Sequence, residues 1–94
     1  MSLGMLTLHL QIPGCTSLKE KRSRLKPLLA RLHKEFNISV AELGAQDAWQ
    51  QAIIGCAFIS SDANITRSSL QAIISWVENN WPDMLVLEDR IELL

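Results

Sequence analysis

Eight consecutive residues, Ala52-Ile53-Ile54-Gly55-Cys56-Ala57-Phe58-Ile59, carry no charged side chain, and they limit the fold more than any other stretch of the chain. The run is far too short to cross a bilayer, which takes about 20 apolar residues. Its β-branched and aromatic residues read as a strand that is apolar on both faces, with Ile54, Cys56 and Phe58 on one side and Ile53, Ala57 and Ile59 on the other. At 94 residues the chain has room for one core. The strand is therefore expected at the centre of a small sheet, with something covering each face.

The flanking patterns supply the rest of the sheet. From Met5 to Ile12 polar and apolar residues alternate, which puts Leu6, Leu8, Leu10 and Ile12 on one face of a first strand. Pro13-Gly14 breaks the pattern. Ser17-Leu18-Lys19-Glu20 then reads as a capping box, in which the Ser17 hydroxyl and the Glu20 carboxylate satisfy free amides at a helix start. Leu25, Leu28, Leu29, Leu32 and Phe36 follow on one helical stripe. Pro27 falls inside that helix, where it removes a hydrogen bond and clashes one turn back, so a kink or break is expected near Ser23 to Lys26. Ile38 and Val40 alternate with Ser39 and Ala41 in a short second strand, joined by a polar connection from Gly44 to Gln50 to the apolar third strand as a hairpin. Asp62 is placed to cap a second helix carrying Ile65, Ser69, Leu70, Ile73, Trp76 and Val77, which Asn79-Asn80 and Pro82 end. Met84 to Leu94 forms the last strand.

Two strand-helix-strand units joined by a hairpin make the split βαββαβ arrangement called ferredoxin-like, an α+β fold with a four-stranded antiparallel sheet and two helices on one face. One such domain accounts for residues 1–94. In this topology the first and third strands are central and the other sheet face is open. The third strand is apolar on that open face too, so a homodimer through it is expected.

Charge is divided unevenly along the chain. Residues 1–35 hold seven basic and two acidic side chains, whereas residues 36–94 hold two and eight, and the whole chain carries a formal charge of −1. Lys19, Lys21, Arg22, Arg24, Lys26, Arg31 and Lys34 all lie in or beside the first helix, mostly opposite its leucine stripe, and form a basic ridge. Such a ridge serves as the solvated back of an amphipathic helix. It also suits phosphate groups of RNA, and the seven residues are the candidate nucleic-acid contacts. Sheets of this topology that bind single-stranded RNA stack bases on aromatics of the central strands. Here the first strand has no aromatic residue and Phe58 falls on the core side, so RNA binding is expected on the helix.

No catalytic constellation stands out. There is no nucleophile with a neighbouring base, no carboxylate pair on one element and no glycine-rich phosphate cradle, so no enzyme activity and no cofactor are expected. His9 and His33 read as surface histidines. Cys15 and Cys56 are far apart and show no metal-ligand spacing, so no metal is expected, although Cys15, in a loop, has scope for reactivity. Trp49, with Asp47 and Gln50 in the hairpin connection, is the candidate partner-binding group, since tryptophan is enriched at binding hot spots. The N-terminal stretch lacks a basic segment followed by a continuous apolar one, so no membrane contact and a cytoplasmic location are expected.

The chain resembles the YlxP-like bacterial proteins, domain of unknown function 503. The resemblance runs through Ile12-Pro13-Gly14, Ser17-Leu18-Lys19-Glu20-Lys21-Arg22, Ser39-Val40-Ala41-Glu42, Gln46-Asp47, Trp49-Gln50, Gly55 and Ser60-Ser61-Asp62. It implies a ferredoxin-like fold and, because such proteins are often encoded beside translation and ribosome-maturation factors, a ribosome-associated role in contact with ribosomal RNA or a translation-related protein. Pro27 departs from the family pattern. Two alternatives follow from the residues: a small-molecule-binding regulatory module acting as a dimer, and a protein-protein adaptor using Trp49 and the acidic last strand with Glu88, Asp89 and Glu92.

Overall fold

Strand β1 (Ser2–Gln11) alternates buried and part-exposed residues along its whole length, as a strand with one core face must. The computed structural model describes residues 1–45 and 47–94, so Gln46 lies outside it. After β1 come helix α1 (Leu18–Glu35), the hairpin strands β2 (Ser39–Gly44) and β3 (Gln51–Ser60), helix α2 (Ala63–Asn80) and strand β4 (Leu85–Leu93). The strands form one antiparallel sheet in the order β2-β3-β1-β4. This is the βαββαβ ferredoxin-like arrangement, with β1 and β3 at its centre.

The core lies between the helices and one sheet face. Leu6, Leu8, Leu10 and Ile12 meet Ile54 and Cys56 of the neighbouring strand, Leu25, Leu28 and Leu32 of α1, and Leu70, Ile73 and Val77 of α2. Gly4 lets α2 come close, because a Cβ there would stand 2.5 Å from Thr66 Cγ2 and 2.9 Å from Leu70 Cδ1. Where periodicity places Ile65 in the core, the structure buries Thr66 instead. Ile65 is half exposed, and the Thr66 hydroxyl shares a 2.7 Å hydrogen bond with Ser60 Oγ.

Two further expectations change. The proline does not interrupt α1, which runs unbroken for 18 residues with Pro27 inside it. Ser23, whose carbonyl loses its usual donor one turn on, and Pro27 are both exposed, so water can take the missing partner's place. The capping box is also only half made. Ser17 Oγ accepts from Glu20 N at 3.0 Å, but the Glu20 carboxylate turns to Thr16 Oγ1 and Arg24. The second cap is as expected, with Asp62 Oδ1 accepting from Asn64 N at 2.8 Å.

Candidate nucleic-acid interface

The seven basic residues of α1 separate by their position around the helix. Lys21 faces inward and is 2% exposed. Its Nζ donates to Ala45 O at 2.6 Å and lies 3.0 Å from Glu42 Oε2 on β2, a Coulombic contact that leaves this carboxylate oxygen without an aligned hydrogen bond among the described residues. Lys21 is therefore not available to a phosphate, because its charge is used inside the fold. Ala45, which it holds, sits at φ 59°, a left-handed backbone rarely adopted outside glycine, Asn and Asp. A short charge-assisted bond is suited to stabilising such a turn.

Arg24 and Arg31 lie along the flank that faces α2 and the β4 approach. Arg24 makes a two-pronged contact with Asp83, Nε to Oδ2 at 3.1 Å and Nη2 to Oδ1 at 3.0 Å, and also donates to Pro13 O and Glu20. The Asp83 hydrogen bond raises the guanidinium pKa above its ordinary value. The Thr16 hydroxyl, followed by Arg24, holds the Glu20 carboxyl below the usual range. Arg31 pairs with Glu35 at 3.3 Å and lies 5.5 Å over the Trp76 ring, which in turn stacks on Trp81 and meets Phe36 edge-on. These two arginines bind the helix to its own protein.

Lys19, Arg22, Lys26 and Lys34 remain. All four are exposed, and none forms an ion pair among the described residues. At 3.6 residues per turn they fall within about a third of the helix circumference, opposite Leu25, Leu28 and Leu32. No acidic residue of the helix shares that arc. A neighbouring carboxylate, Glu42, borders the hollow between Arg22 and Lys26 but is already engaged by Lys21. The structure thus reduces the ridge to four cations on one arc of the helix, none of them ion-paired among the described residues.

The hairpin candidates form a separate group. Trp49 is 52% exposed and Asp47 is exposed, while Gln50 Nε2 donates to Cys15 O at 3.3 Å and Gln50 O accepts from Ile12 N. The loop around Trp49 is therefore held at both ends, by Lys21 at Ala45 and by Gln50 at the β1–α1 connection. Cys15, in the loop between β1 and α1, is fully buried with its thiol directed at Ser17 O, so it lacks the exposure that reactivity requires. Burial pushes the Cys56 thiol up to about 12, so it stays neutral and inert at ordinary pH. His9 bonds Gln51 on the sheet surface, and His33 Nδ1 lies 2.9 Å from Ile38 O. Among the described residues no three His, Cys, Asp or Glu side chains converge as a metal site, and no helix is long and apolar enough to cross a membrane.

The inward direction of Lys21 has a trace in the sequence. It stands four residues before Leu25 and seven before Leu28, the spacing that keeps side chains on one helix face, so it shares the leucine side and not the basic back. Its partner across the gap, Glu42, has no such trace, because only the sheet register brings β2 alongside α1.

Known proteins share the sequence pattern. The family model described as "Protein of unknown function (DUF503)" matches residues 3–90. The chain belongs to this family. It is 41% identical over 63 residues to the "Uncharacterized protein YlxP" of Bacillus subtilis (strain 168), covering 67% of this chain and 68% of that one. Among solved structures, the N63A mutant of SnoaB, a cofactor-independent oxygenase from Streptomyces nogalater, aligns over 99% of this chain and 90% of its own at a TM-score of 0.47 and 9% identity.

Proposed function

We propose that this DUF503 protein is a non-enzymatic binding protein that contacts RNA, with ribosomal RNA as its natural setting, through the exposed stripe of α1. The observation that carries this reading is the sorting of charges on that helix. Three basic side chains are consumed by internal partners, and the four left over point the same way with no acid among them. A solvated helix back usually intersperses both signs. A single-sign stripe on a chain of net charge −1 instead concentrates positive potential where a phosphate backbone can lie.

Phosphate contacts make binding salt-dependent. Four contacts to single-stranded RNA give a log-log slope of about −3. Binding of the protein to ribosomal subunits and to total RNA across a salt series is expected to show that slope. The variant Lys19→Glu, Arg22→Glu, Lys26→Glu, whose sites are all exposed, is expected to keep its fold and lose binding. Absence of binding by the wild type at low salt would overturn the reading.

A further inference from the structure

The sheet face turned away from the helices carries more apolar surface than a solvated face needs. By register it presents Leu3, Met5, Ala57, Ile53 and Ile59 from the central strands, with Ile59 60% exposed. Leu43, at the β2 bulge and 51% exposed, lies over Gly55, where any side chain would collide with it. Leu85 at the far edge of the same face is 51% exposed. All but Leu85 form an uncharged area running from β2 across β3 to β1, and Leu85 extends it onto the end of β4.

We infer that this face is the contact between two copies of the chain, paired about a two-fold axis. Its size fits. The four strands, 10, 6, 10 and 9 residues long, at roughly 3.3 Å per residue and about 4.8 Å apart, give a face of roughly 550 Å². Two copies then bury roughly 1,100 Å², just above the roughly 1,000 Å² that a biological interface has to clear. Its charge fits too. In a two-fold contact a surface meets itself, so a concentration of one sign repels. The charged groups on this face are Glu88, Arg90 and Glu92 of β4, with His9 beside them, and Arg90 already pairs with Glu92 at 3.5 Å. Both signs are present, and the two acids exceed the one arginine by a single charge. The opposite face of the molecule, with its four cations, cannot meet itself in this way.

The contact uses none of the four α1 cations and leaves α1 outward. Size-exclusion chromatography with light scattering at tens of micromolar is expected to return twice the mass of one chain. Ile59→Lys and, separately, Ala57→Glu are expected to return one chain with unchanged circular dichroism, since Ile59 is exposed and Ala57 is part-exposed on the outward face. Two variants guard against a folding defect in either. A wild type that runs as a single chain overturns the inference, and so does a dimer that survives both substitutions.

Discussion

The ammonium of Lys21 is taken out of water by the fold and given two partners, the Ala45 carbonyl and the Glu42 carboxylate. Removing one member of such a pair leaves the other desolvated, which costs more than the pair contributes. Lys21→Ala is therefore expected to destabilise the protein by about 3 kcal/mol, the low end for a broken buried pair because Glu42 retains some access to water. The double substitution Lys21→Met, Glu42→Leu is expected to recover most of that loss. Urea unfolding of the wild type and both variants checks it, and a double variant no better than the single one would show that the Ala45 bond matters more than the ion pair. The same residue explains a limit of sequence reading. Lys19, Arg22, Lys26 and Lys34 are recognisable as a surface from their spacing, but nothing in the sequence shows what Lys21 binds until Glu42 is brought across from β2. Long-range pairing decides its role, and a helical pattern contains no information about it.

At the scale of elements, the strands and helices follow from local patterns because alternation, caps and breakers agree with one another. α2 lies where its periodicity and the Asp62 cap place it, and β1 keeps its expected core face but begins at Ser2, three residues before the alternation that marks it at Met5. The departures come where a local rule is outweighed. Pro27 disfavours the helix interior, yet leucines on either side, Leu25 and Leu28, bury against the sheet and hold α1 continuous. The cost remains even though the break does not occur. Pro27→Ala restores a backbone donor on an exposed turn and is expected to stabilise the protein by about 1–2 kcal/mol, the helix-propensity gain of about 3 kcal/mol reduced by the greater freedom of the unfolded chain. A thermal melt rising by several degrees would bear this out. An unchanged melt would mean that the helix has already relaxed around the proline. Thr66 is a second case: periodicity gives no reason to place a hydroxyl in the core, and it is admitted because Ser60 satisfies it while Gly4 makes room for its methyl group.

The whole molecule is elongated, 42 × 23 × 20 Å, with its two proposed surfaces on opposite sides. Pairing through the sheet puts the helices of both copies outermost, so the two basic stripes point away from each other at a separation on the order of 40 Å, from sheet layers about 10 Å apart and a helix layer on each. A short oligonucleotide cannot reach both. A large folded RNA can, and its second contact then becomes intramolecular, raising the apparent affinity by roughly a hundredfold without any new contact. The expected outcome is a split between ligands. Wild type and Ile59→Lys bind a short single strand equally well per chain, because each stripe acts alone, whereas ribosomal subunits retain the wild type far more tightly. Titrations of both proteins with both ligands at one salt concentration measure the difference. Equal affinity for the subunits would mean that the pair offers only one stripe to its partner at a time, and the reason for pairing would then have to lie in the sheet face itself.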